Sequence, residues 1–155
     1  MNSTIEIYTD GSCHTQQCVG AWASIILIND TKIVLSGSES ETTHNRMEIL
    51  AVIKSIHYVQ ENHKEAKSLH VISDSQYVIG LIEREKKFIA SNFKTKSGHD
   101  IRNVDLVKEF LKLIKEFKIS FMKIKAHQKR TDATKYNIEV DQLSRAIVRK
   151  LVKGE

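Results

Sequence analysis

The feature that most constrains the fold is a change of hydrophobic period about forty residues into the chain. Residues 5–10 alternate between apolar and polar side chains, and two further β-branched runs follow at 21–28 and 32–38. Alternation with a period of two is typical of strands, so this opening segment predicts three closely connected antiparallel strands. We expect the first strand to end at Gly11-Ser12, because such pairs favour turns.

After residue 42, helical periods alternate with short apolar runs. We predict helices from near 45, over 76–85, over 106–117 and over 138–152, with strands at 69–72 and 121–124. One further helix between the second and third of these, in the basic stretch, stays open. In the last helix we expect Val140, Leu143, Ile147 and Leu151 to face inward. Helices that alternate with strands after an antiparallel meander predict an α/β fold, in which a five-stranded mixed sheet has helices on both faces.

Composition narrows the class of protein. The chain has 155 residues, of which 41% are hydrophobic and 28% charged, so we expect one globular domain over 1–155. There is no apolar run of membrane-spanning length and no signal-peptide pattern at the start. Two cysteines without an export signal favour a cytoplasmic location. The net charge of +5 allows an anionic partner, and nothing in the sequence indicates an oligomer, so we expect a monomer.

Four carboxylates stand among apolar neighbours. Asp10 and Asp74 end predicted strands, Glu48 interrupts the most apolar helix, and Asp141 lies near the start of the last helix. Three of them also have ordinary explanations: Asp10 suits a turn, Asp74 a helix cap, and Asp141 a helix dipole. Glu48 does not, because a carboxylate on a nearly buried helix needs a partner. No arginine or lysine lies three or four residues from it.

Taken together, the four acids indicate a metal site. Strands that end in aspartate place carboxylates at the crevice where α/β sheets bind ligands. Clustered carboxylates repel one another unless hard cations neutralise them, and oxygen ligands suit Mg²⁺ or Mn²⁺ better than zinc. Paired ions about 3.5–4 Å apart act on phosphate esters. A basic protein with such a centre fits an anionic polymer as substrate.

Six segments match one known family in order and in spacing. They are YTDGSC at 8–13, TTHNRME at 42–48, SDSQYV at 73–78, NVDL at 103–106, IKAH at 124–127, and Asn137 followed by Asp141 and LSRA at 143–146. On these segments the chain resembles type 1 ribonuclease H of the bacterial kind over essentially its whole length. The resemblance implies the ribonuclease H-like fold and an endonuclease that hydrolyses the RNA strand of RNA–DNA hybrids. The family's products carry 5′-phosphate and 3′-hydroxyl ends.

Carried onto the matching positions, the resemblance implies that Asp10, Glu48, Asp74 and Asp141 hold two Mg²⁺ ions, with Mn²⁺ as an alternative. It implies that His127, in the loop before the last helix, assists water activation or product release. A loop histidine without a role is the competing explanation for His127. The implied chemistry is in-line attack of water on a phosphodiester, with one ion at the nucleophile and one at the leaving oxygen.

The resemblance also implies contacts to both strands of the hybrid. The RNA-side contacts are Gly11, Ser12 and Cys13 through their backbone, and Asn45 and Gln76 through their side chains. The DNA-side contacts are Thr43 and Asn103 at a phosphate, and Phe93 and Lys94 within a basic protrusion over 83–103. Such contacts carry little base specificity. Helix capping is the alternative for Asn45 and Thr43, and a solvated charged helix is the alternative for the protrusion.

The chain departs from the family at several positions. The loop at 14–20 lacks the common glycine- and proline-rich turn, and His44 stands where asparagine is common. Cys13, His14 and Cys18 do not have a recognised zinc spacing, and a disulfide is not expected in a reducing compartment. Two other functions remain open at this point: a non-catalytic duplex-binding module, and a nuclease that cuts DNA or junctions. The four intact acids argue against the first.

Overall fold

Five strands form a single mixed sheet. The computed structural model describes residues 4–124, 131 and 134–154. The strands are β1 (Ile5–His14), β2 (Val19–Ile28), β3 (Thr31–Glu39), β4 (Ser68–Ser73) and β5 (Lys118–Lys123), in the order β3-β2-β1-β4-β5. Short turns make β1, β2 and β3 antiparallel, whereas helical crossovers make β4 and β5 parallel to β1. The predicted α/β class and mixed sheet are confirmed.

Five helices lie in the described residues, on the two faces of this sheet. They are α1 (His44–Asn62), α2 (Gln76–Glu83), α3 (Glu85–Ala90), α4 (Val104–Glu116) and α5 (Lys135–Lys153). Side chains alternate across β1, so Ile7 packs into the larger core with α1 and α4, while Tyr8 packs against α5. Because β1 is central and covered on both faces, its end is a protected place for a site.

The first strand does not stop at Gly11-Ser12, and that prediction was wrong. β1 pairs with β2 as far as His14, and Gly11 sits opposite Trp22 within the ladder. The glycine serves close packing instead of a turn. A β-carbon at Gly11 would lie 2.6 Å from the backbone nitrogen of Glu48 and 2.7 Å from the carbonyl carbon of Met47. Only a residue without a side chain lets α1 approach β1 this closely.

Other boundaries also differ from the prediction. β5 is Lys118–Lys123, three residues earlier at its start than predicted, because its pairing with β4 begins at Ser68. The predicted second helix ends at Glu83, and the separate short helix α3 follows it. α5 begins at Lys135, which places Asp141 in its second turn. The helix-dipole explanation for Asp141 is therefore wrong, since that effect is confined to the first turn.

The buried stripe of α5 is narrower and more polar than predicted. Its buried residues are Asn137, Val140, Ser144 and Val148. Leu151 was expected to face inward but is 38% exposed. No helix in the described part of the chain is both long and apolar enough to cross a membrane.

Candidate active site

A crevice of about 800 Å³ opens beyond the carboxyl end of β4, beside the second half of β1 and between α1 and α5. Asp10 points into it from β1, and Asp74 enters from the residue directly after β4. The two strands are parallel and adjacent, with Tyr8 in register with Ile72. Each acid follows its registered residue by two positions, so both carboxylates reach the same edge of the sheet. This is the edge at which α/β folds bind ligands.

The third acid, Glu48, is on α1, the helix that packs closely against Gly11. Glu48 is the fifth residue of α1 and is only 1% exposed. Thr43 caps this helix by accepting a hydrogen bond at 3.2 Å from the Arg46 nitrogen, which fixes where the helix begins. The Thr43 cap therefore sets where α1 begins, and the contact with Gly11 sets how close Glu48 lies to β1.

Asp10, Glu48 and Asp74 form a compact cluster. One carboxylate oxygen of each lies within 4.8 Å of the others. Asp141 lines the same crevice from α5, next to Asp10, and its Oδ1 accepts a hydrogen bond at 2.9 Å from Arg145 Nε. All four acids that the sequence singled out thus border one cavity, and carboxylate oxygens of three of them lie within 4.8 Å of one another.

Burial and the neighbouring carboxylates raise the pKa of Asp10 and of Asp74. Burial raises the pKa of Asp10 to about 10, and repulsion from Glu48 and Asp74 contributes to the rise. The pKa of Asp74 is raised for the same reasons, first by burial and then by the charges of Glu48 and Asp141. Without a cation, Asp10 therefore keeps its proton at neutral pH. A bound divalent ion would release that proton by compensating the negative charge.

Glu48 has a partner that the sequence reading overlooked. Nε2 of His44 lies 3.2 Å from Glu48 Oε1, at the i, i+4 spacing of the first helical turn. This contact raises the pKa of His44, and burial of the ring opposes it. The i, i+4 spacing of His44 and Glu48 is visible in the sequence, and histidine can pair with a carboxylate as arginine and lysine do. The predicted helix start near Asn45 also left His44 outside the helix.

The cluster fits a divalent metal. Glu48 Oε2 is buried, and no donor in the described residues bonds to it. A buried carboxylate oxygen without a partner is costly, and a cation would satisfy it. The three clustered ligand atoms are all carboxylate oxygens, which suit hard ions such as Mg²⁺ or Mn²⁺. Asp10, Glu48 and Asp74 are therefore the residues able to hold a metal here, with Asp141 beside them.

The expected RNA-side residues surround this cluster. Gly11, Ser12, Cys13, Asn45 and Gln76 all line the crevice. Further lining residues were not among the predicted contacts: His44, Ser75, Tyr77, Asn137, Ile138, Gln142, Arg145, Val148 and Arg149. Most of these lie on α5, and the sequence alone does not show which of its residues come close to the acids.

A partly buried hydroxyl contact joins α5 to β1. Ser144 Oγ is 2.7 Å from Ser12 Oγ, and it also donates to the backbone carbonyl of Asp141 at 3.1 Å. Ser144 is fully buried. The contact links the strand that carries Asp10 to the helical turn that carries Asp141, so it fixes the spacing between those two acids.

The expected DNA-side residues lie outside the crevice. Thr43 and Asn103 are the N-cap residues of α1 and α4. Arg46 connects these two helix starts, because its guanidinium bonds both carboxylate oxygens of Asp105 at 2.9 and 3.1 Å. Asn103 adopts a left-handed conformation and donates to the Tyr77 hydroxyl at 3.2 Å.

The two protrusion residues are engaged within the protein. Phe93 stacks on Phe88 with ring centroids 6.0 Å apart, and Lys108 Nζ lies 5.3 Å from the Phe93 ring centre. Lys94 Nζ is 2.5 Å from Asp100 Oδ1, and the backbones of these two residues form an isolated bridge. Residues 83–103 thus contain α3 and a turn closed by this bridge. The predicted role of His127 lies outside the described residues.

The mixed sheet with carboxylates gathered at its strand ends defines the ribonuclease H-like class. Comparison with known proteins agrees. The RNase H family model matches residues 2–149. The ribonuclease H of Chlorobaculum parvum is 32% identical over 151 residues, 96% of this chain and 98% of that protein. The ribonuclease H of Caldicellulosiruptor saccharolyticus is 32% identical over 149 residues, 95% and 97% of the two chains.

This chain belongs to the ribonuclease H family. Its fold also matches solved structures of lower sequence identity. LC9-RNase H1, a type 1 RNase H with the type 2 active-site motif, superposes with a TM-score of 0.76 at 20% identity, covering 94% of this chain and 72% of that one. A foamy viral protease-reverse transcriptase solved with double-stranded DNA gives 0.71 at 16% identity, covering 92% of each chain.

Proposed function

We propose that this chain is a metal-dependent endonuclease that hydrolyses the RNA strand of RNA–DNA hybrids. The observation that carries the proposal is the buried cluster of Asp10, Glu48 and Asp74 at the strand ends of a ribonuclease H family member. A buried Glu48 oxygen without a donor in the described residues supports the use of a cation. The proposed products carry 5′-phosphate and 3′-hydroxyl ends.

Asp10, Glu48 and Asp74 would hold the metal, and Asp141 would complete the set for a second ion. Bound Mg²⁺ or Mn²⁺ supplies a water nucleophile at neutral pH and charge stabilisation at the leaving oxygen. The protein keeps the acids fixed and shielded before substrate arrives, and the Gly11 contact and the Ser12–Ser144 bond support that fixed geometry. We propose that His127 assists the proton transfers or the release of product.

Recognition of the hybrid is proposed to depend on shape. Gly11, Ser12 and Cys13 offer backbone groups along the crevice, and Asn45 and Gln76 offer side-chain amides there. Amides and backbone groups of this kind can bond to 2′-hydroxyls in the wide minor groove, which distinguishes RNA from DNA. Thr43, Asn103, Phe93 and Lys94 are proposed to contact the DNA strand, mainly at its phosphates.

We also propose that residues 1–155 act as one domain and as a monomer in the cytoplasm. Two observations bear on the single domain and on the compartment. The family model spans residues 2–149 in a single match. Cys13 and Cys18 are both free thiols, which persist in a reducing compartment.

The proposal is tested by cleavage of an end-labelled RNA–DNA hybrid. Double-stranded RNA, double-stranded DNA and the single strands are assayed beside it, each in Mg²⁺, in Mn²⁺ and in EDTA. The expected result is metal-dependent cutting of the RNA strand of the hybrid alone. End analysis of the fragments should find 5′-phosphates and 3′-hydroxyls.

Asp10→Asn is the matched loss-of-function variant, and Asp30→Asn, in the exposed turn between β2 and β3, is its control. We expect Asp10→Asn to abolish cutting and Asp30→Asn to retain it. Binding of the hybrid without cutting in either metal would instead identify a duplex-binding module. Cutting of DNA would preserve the metal site and overturn the assigned substrate.

A further inference from the structure

The end of β5 continues the row of functional strand ends. β4 and β5 are parallel and in register, with Ser73 opposite Lys123. Asp74 follows Ser73 directly, so the backbone of Lys123 runs one strand spacing from that of the residue before Asp74, about 5 Å away. The row of strand ends therefore carries Asp10, then Asp74, and then a lysine on the outer strand.

Lys123 is bonded to one of the crevice residues. Its ammonium donates to the side-chain carbonyl oxygen of Gln76, the first residue of α2. Gln76 lines the crevice, and Lys123 stands just beyond its rim. Both side chains are exposed. Within the described residues, Lys123 forms no ion pair with a carboxylate, in contrast to Lys32, Lys94 and Lys115.

The pair presents mainly hydrogen-bond donors to solvent. An ammonium has three donors and no acceptor, and one of its donors is used on Gln76. The Gln76 carbonyl oxygen accepts from Lys123 and keeps one further lone pair, while its amide nitrogen offers two N–H donors. A surface made mainly of donors and one positive charge complements a group made of acceptors and negative charge. A backbone phosphate of a nucleic acid is such a group.

We propose that Lys123 forms a phosphate-binding subsite, beside the RNA-side contact Gln76, for the nucleic-acid strand that leaves the crevice over β5. Lys123 contributes the charge and also orients the Gln76 amide with its N–H groups outward. The inference rests on the proposed function, since it assumes a nucleic-acid substrate in the crevice. It assigns a binding role to a residue that none of the family segments in this sequence includes.

Lys118 provides a matched control on the same strand. It is exposed like Lys123 but stands at the opposite end of β5, five residues or about 16 Å away. Its backbone N–H donates to the carbonyl of Lys67, at the end of the sheet opposite to the acids. Lys118→Gln and Lys123→Gln remove the same charge from the same strand, so they differ only in position.

The experiment measures hybrid affinity against salt concentration in the Asp10→Asn background, where the substrate stays intact. One lost phosphate contact lowers the slope of log affinity against log salt by about 0.9. When salt is raised from 50 to 200 mM, the affinity of both proteins for the hybrid should fall. The factor by which it falls should be about threefold smaller for Lys123→Gln than for its parent. Lys118→Gln should match the parent, and Lys123→Arg should restore the slope because arginine also binds phosphate.

A second readout uses the active enzyme. Lys123→Gln should raise KM for the hybrid and leave kcat unchanged, because the subsite lies outside the acid cluster. Equal salt slopes for Lys123→Gln and Lys118→Gln, in a chain whose wild type cleaves the hybrid, would overturn the subsite alone. A wild-type chain that leaves the hybrid intact in both metals would overturn the proposed function instead.

Discussion

Replacing Asp10 with asparagine should stabilise the metal-free protein while abolishing its activity. The Asp10 carboxyl is 3% exposed and has a pKa raised from 3.8 to about 10 by burial and by the charges of Glu48 and Asp74. At pH 7 the folded chain therefore carries a proton on Asp10 that the unfolded chain lacks. Taking up that proton costs free energy on every folding event. Asparagine has nearly the same shape and needs no proton.

The size of the effect follows from the pKa shift. Each unit between the unfolded pKa and the working pH is worth about 1.36 kcal/mol. At pH 7 the interval above 3.8 is about three units, which bounds the gain for Asp10→Asn at about 4 kcal/mol. A domain of this size shifts its Tm by about 2–4 °C per kcal/mol, so the upper bound is on the order of 10 °C.

The sign of the pH dependence is fixed by the direction of the shift. Between about pH 4 and pH 10 the folded wild type binds more protons at Asp10 than the unfolded chain does. The contribution of Asp10 to wild-type stability therefore falls as the pH rises through this range. The Asp10→Asn variant has no titrating group at this position. Its free energy of unfolding should therefore exceed that of wild type only slightly near pH 4, and the difference should grow as the pH rises.

Thermal unfolding followed by circular dichroism in EDTA, at pH 5, 7 and 8.5, measures this difference. Asp30→Asn, in an exposed turn, is the control and should unfold like wild type. Saturating Mg²⁺ should narrow the gap, because an ion bound at a hundred times its Kd stabilises the folded wild type by about 2.7 kcal/mol. The reasoning would be refuted if wild type and Asp10→Asn had the same Tm in EDTA, or if the difference in Tm between them became smaller as the pH rises.

Three further substitutions test how the acids are held in place. Gly11→Ala should destabilise the fold by about 1–3 kcal/mol in urea unfolding and should reduce metal affinity by calorimetry, because the new methyl displaces the Glu48 backbone. Ser144→Ala should cost about 1 kcal/mol and lower kcat more than it changes KM, and a double-mutant cycle with Ser12→Ala should be non-additive. Arg46→Lys should cost about 1 kcal/mol in urea by losing its bidentate carboxylate pair; an unchanged midpoint would contradict this.

Local patterns in the sequence were sufficient to predict most of the architecture. The alternating residues of β1 and the helical period of α4 are properties of neighbouring positions, so they survive without knowledge of the fold. From them followed the order of the elements, the mixed sheet and the helices on both faces. The acids were also visible locally, because Glu48 stands out in an apolar helix wherever that helix packs.

Only the tertiary structure decided where elements end and which groups meet. β1 continues through Gly11 because its pairing with β2 continues there and because α1 packs against the glycine. Both contacts are made with residues distant in the sequence. The His44–Glu48 contact depended on a helix boundary one residue earlier than predicted. The approach of Asp10, Glu48 and Asp74 to within 4.8 Å brings together residues far apart in the chain. Periodicity reports which face of an element is buried, whereas the distance between two elements is set by the packing of all the side chains between them.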